Sequence, residues 1–159
     1  MKYRIISDTH LGHTSQMIEY CGRPENYEDR IIKSIKTVVG NDDILIHLGD
    51  VCIGNDDKWN RAITDACAGK CWLVRGNHDK RSNRFYLVRG WDWVGDSMTL
   101  NIFGRSILFT HIPSQDVVDV NVHGHLHNSG HRGYWDDDKH ILVMCEHSYE
   151  PVDLRRLVE

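Results

Sequence analysis

Asp8 and His10 stand two residues apart, directly after the short apolar run that ends Ile5-Ile6-Ser7. A carboxylate and an imidazole are ligands of the kind divalent cations take. At the end of a β-strand the side chains of residues i and i+2 point the same way, so both could reach one ion. One D-x-H is a weak signal, but the chain returns to the pattern four more times: Gly49-Asp50, Gly76-Asn77-His78-Asp79, His111, and Gly124-His125-Leu126-His127. Each return follows an apolar, strand-like run. Seven oxygen or nitrogen ligands (Asp8, His10, Asp50, Asn77, His111, His125 and His127) exceed what one zinc ion needs and suit two ions that share a bridging carboxylate. Gly49, Gly76 and Gly124 each precede a ligand, where the backbone must turn sharply and come close to the site.

The elements that would carry these residues follow from periodicity. Strands are expected at residues 3–7, 44–48, 71–74, 91–94, 98–103, 106–110, 117–122 and 141–145, with a tight turn at Gly104-Arg105. Apolar residues at 27, 31, 32, 35, 38 and 39 predict a helix over 27–39, capped by Asn26. Further helices are expected over 56–67, 80–88 and 151–158. Residues 11–24 read as a loop with at most one helical turn, and 128–139 as a polar loop. Strand–helix units come first and strands dominate afterwards, an α/β order that two sheets packed face to face with helices outside would satisfy. In such sheets ligands gather at the carboxyl ends of the strands.

Composition bounds the function. A chain of 159 residues is long enough for one domain with its own core, and no linker, repeat or low-complexity segment divides it. A net charge of −4 and a pI near 6.2 give no general pull toward nucleic acid or anionic membrane. No stretch approaches the roughly 20 apolar residues of a membrane span, and the first residues hold no apolar segment of signal-peptide length. The five cysteines, at 21, 52, 67, 71 and 145, form no paired framework. They read as reduced thiols of a cytoplasmic protein, and Cys67 and Cys71 lack the second pair that a zinc knuckle requires. Eleven histidines are a surplus of a scarce residue, and the motifs show its use.

The ordered set D-x-H (8–10), G-D (49–50), G-N-H-D (76–79), His111 and G-H-x-H (124–127) resembles the signature of the calcineurin-like metallophosphoesterases. The run from Ser7 to His13 and the ending Tyr149 to Leu154 also resemble small bacterial and phage members. The resemblance implies a four-layer α/β/β/α sandwich of two mixed sheets. It implies that Asp8, His10, Asp50 and His127 hold one ion and that Asp50, Asn77, His111 and His125 hold another, with Asp50 as the bridge. His78 would contact the scissile phosphate or act as acid toward the leaving group. Two cations ~3.5–4 Å apart neutralise the ester's charge and lower the pKa of a water between them, which attacks phosphorus in line with the leaving oxygen.

The mixture of carboxylate, amide and imidazole without thiolate favours Mn²⁺, with Fe, Ni²⁺, Zn²⁺ or Mg²⁺ as other candidates. No large insert selects a protein or a long nucleic acid, so a small phosphodiester or nucleotide is the expected substrate. A nuclease, with nucleic acid as substrate only, or a scaffold that has lost catalysis are the alternatives. Scaffold members usually lack the histidine that this chain keeps at 78. Arg75, Lys80, Arg81 and Arg84 flank Asn77 and His78, as phosphate contacts or as a solvated basic face. His13 is a candidate substrate contact and His47 a core histidine. His123 is either a support of the site or a plain strand residue, His131 either rim or surface, and His140 and His147 are structural or exposed. Many family members carry an acid three residues after the bridging Asp, which orients the catalytic histidine; here Ile53 stands there.

Overall fold

In chain order the elements are β1 (Tyr3–Ile6), α1 (Thr14–Cys21), α2 (Tyr27–Val38), β2 (Ile44–His47), α3 (Asp56–Ala66), β3 (Lys70–Val74), α4 (Asn83–Leu87) and β4 (Trp93–Gly95). They continue with β5 (Ser97–Ile102), β6 (Arg105–Thr110), β7 (Val120–His123), β8 (His140–Leu142), β9 (Val152–Asp153) and α5 (Leu154–Val158). The structure, a computed structural model, describes residues 1–117, 119–131, 135 and 137–159. Position 118, inside the strand expected at 117–122, and most of 132–136 of the polar loop lie outside the described residues.

Two mixed sheets are formed. The first has the order β4-β3-β2-β1-β9, parallel throughout except for β9. The second has the order β5-β6-β7-β8, with β5 antiparallel to the rest. The apolar run of β2 is continuous because both of its faces are covered. Ile44 and Ile46, with Ile5 and Val74, join Ile107, Phe109, Val120 and Val122 of the second sheet in one core. Leu45, with Ile6 and Leu73, joins a second core with Tyr27, Ile31 and Ile35 of α2 and Ile63 of α3. Burying each such side chain contributes about 1.5–3 kcal/mol. α5 packs on β1 and β9, with Leu154 and Val158 buried in the core between the sheets. The α/β architecture of two mixed sheets is therefore as the motifs implied.

The differences from expectation are local. Residues 14–21 form a full helix, α1, anchored by buried Met17 and ended by Gly22 in the left-handed region at φ 65°. Its other side chains are mostly polar, so apolar spacing did not reveal it. Asn26 precedes α2, but its side chain makes no capping bond; Asn55 does cap α3, accepting from the Lys58 N–H. α4 starts only at Asn83, after Ser82 caps it. The hairpin between β5 and β6 turns at Phe103-Gly104, both with positive φ, one residue earlier than expected. β8 begins at His140 and ends at Leu142, and Val152-Asp153 are a strand rather than the start of the last helix.

Candidate metal centre

Register delivers the ligands to one edge of the sandwich. Ile6 of β1 lies beside His47 of β2, so the chain segments that follow run side by side. There the Asp8 N–H donates to Gly49 O and the His10 N–H to Asp50 O, each at 3.0 Å. Thr110 of β6 is likewise beside His123 of β7, and the Gly124 N–H donates to His111 O at 3.0 Å. The two sheets meet where the His125 N–H donates to Asp8 Oδ2 at 2.9 Å. Gly124 is required at this joint, because a Cβ on it would lie 1.8 Å from Ser7 Oγ and 2.4 Å from Asp8 Oδ2.

Five of the seven non-glycine residues with positive φ among the described residues are expected ligands: Asp8, His10, Asp50, His125 and His127. Such backbone is costly for non-glycine residues and clusters at functional sites. Each turns its side chain inward immediately after a rigid strand.

Two clusters result. Asp8, His10 and His127 place ligand atoms within 4.8 Å of one another, and so do Asp50, His111 and His125. In the first, His127 Nε2 is 3.4 Å and His10 Nε2 3.8 Å from Asp8 Oδ1. In the second, His111 Nε2 is 3.3 Å from Asp50 Oδ2, 2.9 Å from Asn77 Oδ1 and 3.1 Å from His125 Nδ1. Asp50 Oδ2 also lies 3.6 Å from His10 Nε2, so it faces both clusters. The structure thus brings together all seven expected ligands.

The donor set fits metal. Asp8 Oδ1 and both ring nitrogens of His10 are buried without a hydrogen-bond partner, whereas buried polar atoms are normally satisfied. Burial would raise the carboxyl of Asp8, but the neighbouring His10 ring and the charges of His111 and His127 hold it well below the usual carboxylate range. Asp50 is also lowered: burial opposes this, and the hydrogen bond from His111 outweighs it. Burial would lower His111, yet Asp50 and Asp8 carry it up to about 9. Two buried carboxylates therefore favour positive charge on His111, and a divalent ion would take the place of that proton.

His78 differs from the ligands. Its side chain is 42% exposed, and its ring nitrogen Nε2 is 3.9 Å from Asp50 Oδ2 while its backbone N–H donates to Asp50 Oδ1 at 2.8 Å. The ring sits edge-on to His10 with centroids 5.5 Å apart. Ile53 contributes no acid, and Asp79 does not replace it: its carboxylate accepts the backbone N–H groups of Asp50, Val51 and Gly76. Asp79 therefore fixes the turn that carries Asp50. His13 lies beside His10, with ring centroids 6.2 Å apart. Arg75 lines the same open depression as Asn77 and His111, with its guanidinium on Asp96 at 2.5 Å. Arg81 is committed elsewhere, to Asp56 at 2.6 Å.

Of the remaining histidines, His47, His123 and His140 are structural and His147 is exposed. Buried His47 faces Thr9 Oγ1 and accepts the Gly49 N–H, and burial lowers it to about 3. His123 supports the site: its Nδ1 bonds Gly124 O, and its Nε2 faces His131 at 3.0 Å. His140 is held by Asp137 and Ser114 O. Sequence reasoning missed Glu146, which holds Nδ1 of His127 at 2.9 Å, and Arg23, which pairs with Glu146 at 2.6 Å. Neither belongs to a motif, and the pair is 123 positions apart.

The family model described as calcineurin-like phosphoesterase matches residues 1–155. An uncharacterized protein of Methanocaldococcus jannaschii is 31% identical over 175 aligned residues, covering 99% of this chain and 90% of its own. Among solved structures, a protein of unknown function from Aquifex aeolicus superposes with a TM-score of 0.80 at 26% identity, over 98% of this chain and 96% of its own. A novel archaeal phosphodiesterase is similar over 79% of this chain and 73% of its own, at 20% identity and a TM-score of 0.45. With the motif order, the two-sheet architecture and a family match over nearly its whole length, the chain belongs to the calcineurin-like phosphoesterases, enzymes that hydrolyse phosphate esters with divalent metal ions.

Proposed function

We propose that the protein hydrolyses a small phosphodiester or a nucleotide with two divalent ions, Mn²⁺ the best suited, shared by Asp50. The observation that carries the two-ion reading is Asp50 Oδ2, which faces His10 Nε2 of one cluster and His111 Nε2 of the other. Asp8, His10 and His127 would hold one ion and Asn77, His111 and His125 the other. The ions supply charge neutralisation at the ester and an acidified water.

The chain's own residues do the rest. Asp79 fixes the backbone of Asp50, and the His78 N–H fixes its carboxylate, through the hydrogen bonds described above. Leu48 O holds Nδ1 of His111 at 2.7 Å, which leaves Nε2 for the ion. His78, half-exposed at the mouth, donates a proton or a hydrogen bond to the leaving oxygen. Arg75 and His13 flank the mouth as phosphate contacts. The depression beside Asn77 and His111 has a volume of about 440 Å³ and is bounded by Arg75, Asp96, Ile112 and Ser114. That volume lies within the range of small-ligand pockets.

The test is a panel of monoesters, diesters and nucleotides with Mn²⁺, Ni²⁺, Zn²⁺ or Mg²⁺ against a chelated control. Diester hydrolysis that requires metal, fastest with Mn²⁺, is expected. Equal turnover in the chelated control would overturn the reading.

A further inference from the structure

Arg23 is 2% exposed, the behaviour of a residue with fixed partners rather than of a surface cation. Its Nη1 donates to Thr9 O at 2.7 Å, and its Nη2 donates to Asp8 O and Glu146 Oε1, each at 2.6 Å. Its Nε adds a second bond to Glu146 Oε1 at 2.9 Å. The guanidinium lies over the Tyr27 ring, 4.9 Å from its centroid, and the Tyr27 hydroxyl donates to His10 O at 2.7 Å. All three carbonyls of the first motif, residues 8 to 10, are thereby held by one stacked pair. Glu146, at the far end of the same ion pair, holds Nδ1 of His127.

We infer that Arg23 and Glu146 form a clamp that positions one metal site, the one made by Asp8, His10 and His127. The clamp joins the first motif to the last, which lie on different sheets. It sets the geometry of His127 by fixing which ring nitrogen faces Asp8, and a carboxylate on that ring raises the ring's basicity as a ligand. It does not touch Asn77, His111 or His125, whose site is fixed instead by Leu48 O and the Asp79 turn. The inference rests on the two-ion reading above.

Cys21 is also near, with its sulfur within 4.8 Å of ligand atoms of Glu146 and His127. A third ion among these groups would have to share Glu146 with a guanidinium at 2.6 Å, and two cations there repel. The geometry therefore favours a hydrogen-bonded support over a further metal site.

The test titrates the metal-free full-length protein with Mn²⁺ by calorimetry, with electron paramagnetic resonance to detect a coupled ion pair. Wild type is compared with Glu146→Ala, Glu146→Gln and Cys21→Ser, and circular dichroism checks the fold. Glu146→Ala is expected to weaken one binding step by about 10–100-fold and to leave the other unchanged. Glu146→Gln keeps the size and an acceptor for His127, folds as wild type does, and falls between. Turnover of both variants should return toward wild type at saturating Mn²⁺, because affinity rather than chemistry is affected. Unchanged affinities in both variants, or equal weakening of both steps, would overturn the clamp. So would a third ion that Cys21→Ser removes. Wild type that binds a single ion overturns the two-ion reading alone, and the clamp then stands or falls by whether Glu146→Ala weakens that one step.

Discussion

The two sheets contribute different things to one centre. The five-stranded sheet, with Ile5, Ile6, Leu45, Ile46 and Leu73 buried on both of its faces, ends in Asp8, His10, Asp50 and Asn77. The four-stranded sheet alternates buried with partly exposed residues along β6 and ends in His111, His125 and His127. Both ligand carboxylates therefore come from the first sheet, and only imidazoles come from the other. Carboxylates out of water need a rigid frame to keep them paired, because an unpaired buried charge is strongly destabilising. Loss of Asp8 or Asp50 from the first sheet should therefore remove charge from the centre, whereas a loss on the second should remove only a ligand.

The sharpest way to break that contrast is Asp50→Asn. The change keeps size and one coordinating oxygen but removes the charge that offsets repulsion between two cations. Loss of at least one metal and of nearly all activity is expected, with the fold intact, as read by elemental analysis, turnover and circular dichroism. Two metals per chain with near-wild-type turnover would refute the bridging role. His125→Ala, on the second sheet, should weaken one ion but retain measurable turnover at saturating metal; if it matches Asp50→Asn, the division of labour between sheets is wrong.

His78→Ala separates chemistry from metal holding. Both metals should stay, while turnover falls by about 10²–10⁴-fold on esters with poor leaving groups. The loss should shrink for p-nitrophenyl esters, and equal losses would remove His78 from the leaving oxygen. Gly124→Ala probes the joint between the sheets, where the added Cβ meets Ser7 Oγ and Asp8. A shift of about 1 Å there should lower activity by about 10²-fold; unchanged kinetics would show that the joint is slack. The smallest effect belongs to Asp57→Asn. Its exposed carboxylate pairs with Arg61 and Arg89 away from the centre, so stability should change by less than about 0.5 kcal/mol and turnover not at all. Asp43 is a poorer control than its position in a polar turn suggests, because it accepts the N–H groups of Lys2 and Gly40.

The ligands were legible because each sits in sequence directly after the apolar run that carries it, so local order equals spatial order at a strand end. The helix α2 was legible for the same reason, its buried positions recurring at helical spacing. Three features had no such local trace. Arg23 and Glu146 meet only after the C-terminal segment returns beside α1. Asp79 stands next to His78 in sequence, yet the turn sends its carboxylate back to Asp50 N–H. The short strand β9, where a helix was expected, owes its pairing to tertiary contacts rather than to alternation.

The left-handed backbone at Asp8, His10, Asp50, His125 and His127 has a thermodynamic consequence. Strain of this kind persists only where the surroundings over-determine it, and bound ions would be part of those surroundings. Folding and metal uptake are then linked equilibria. Free metal at about 100 times Kd should add about 2.7 kcal/mol to stability, a rise of roughly 5–11 °C in Tm for a chain of this length. The melting temperature thus reports how fully the centre is loaded, without any substrate being known.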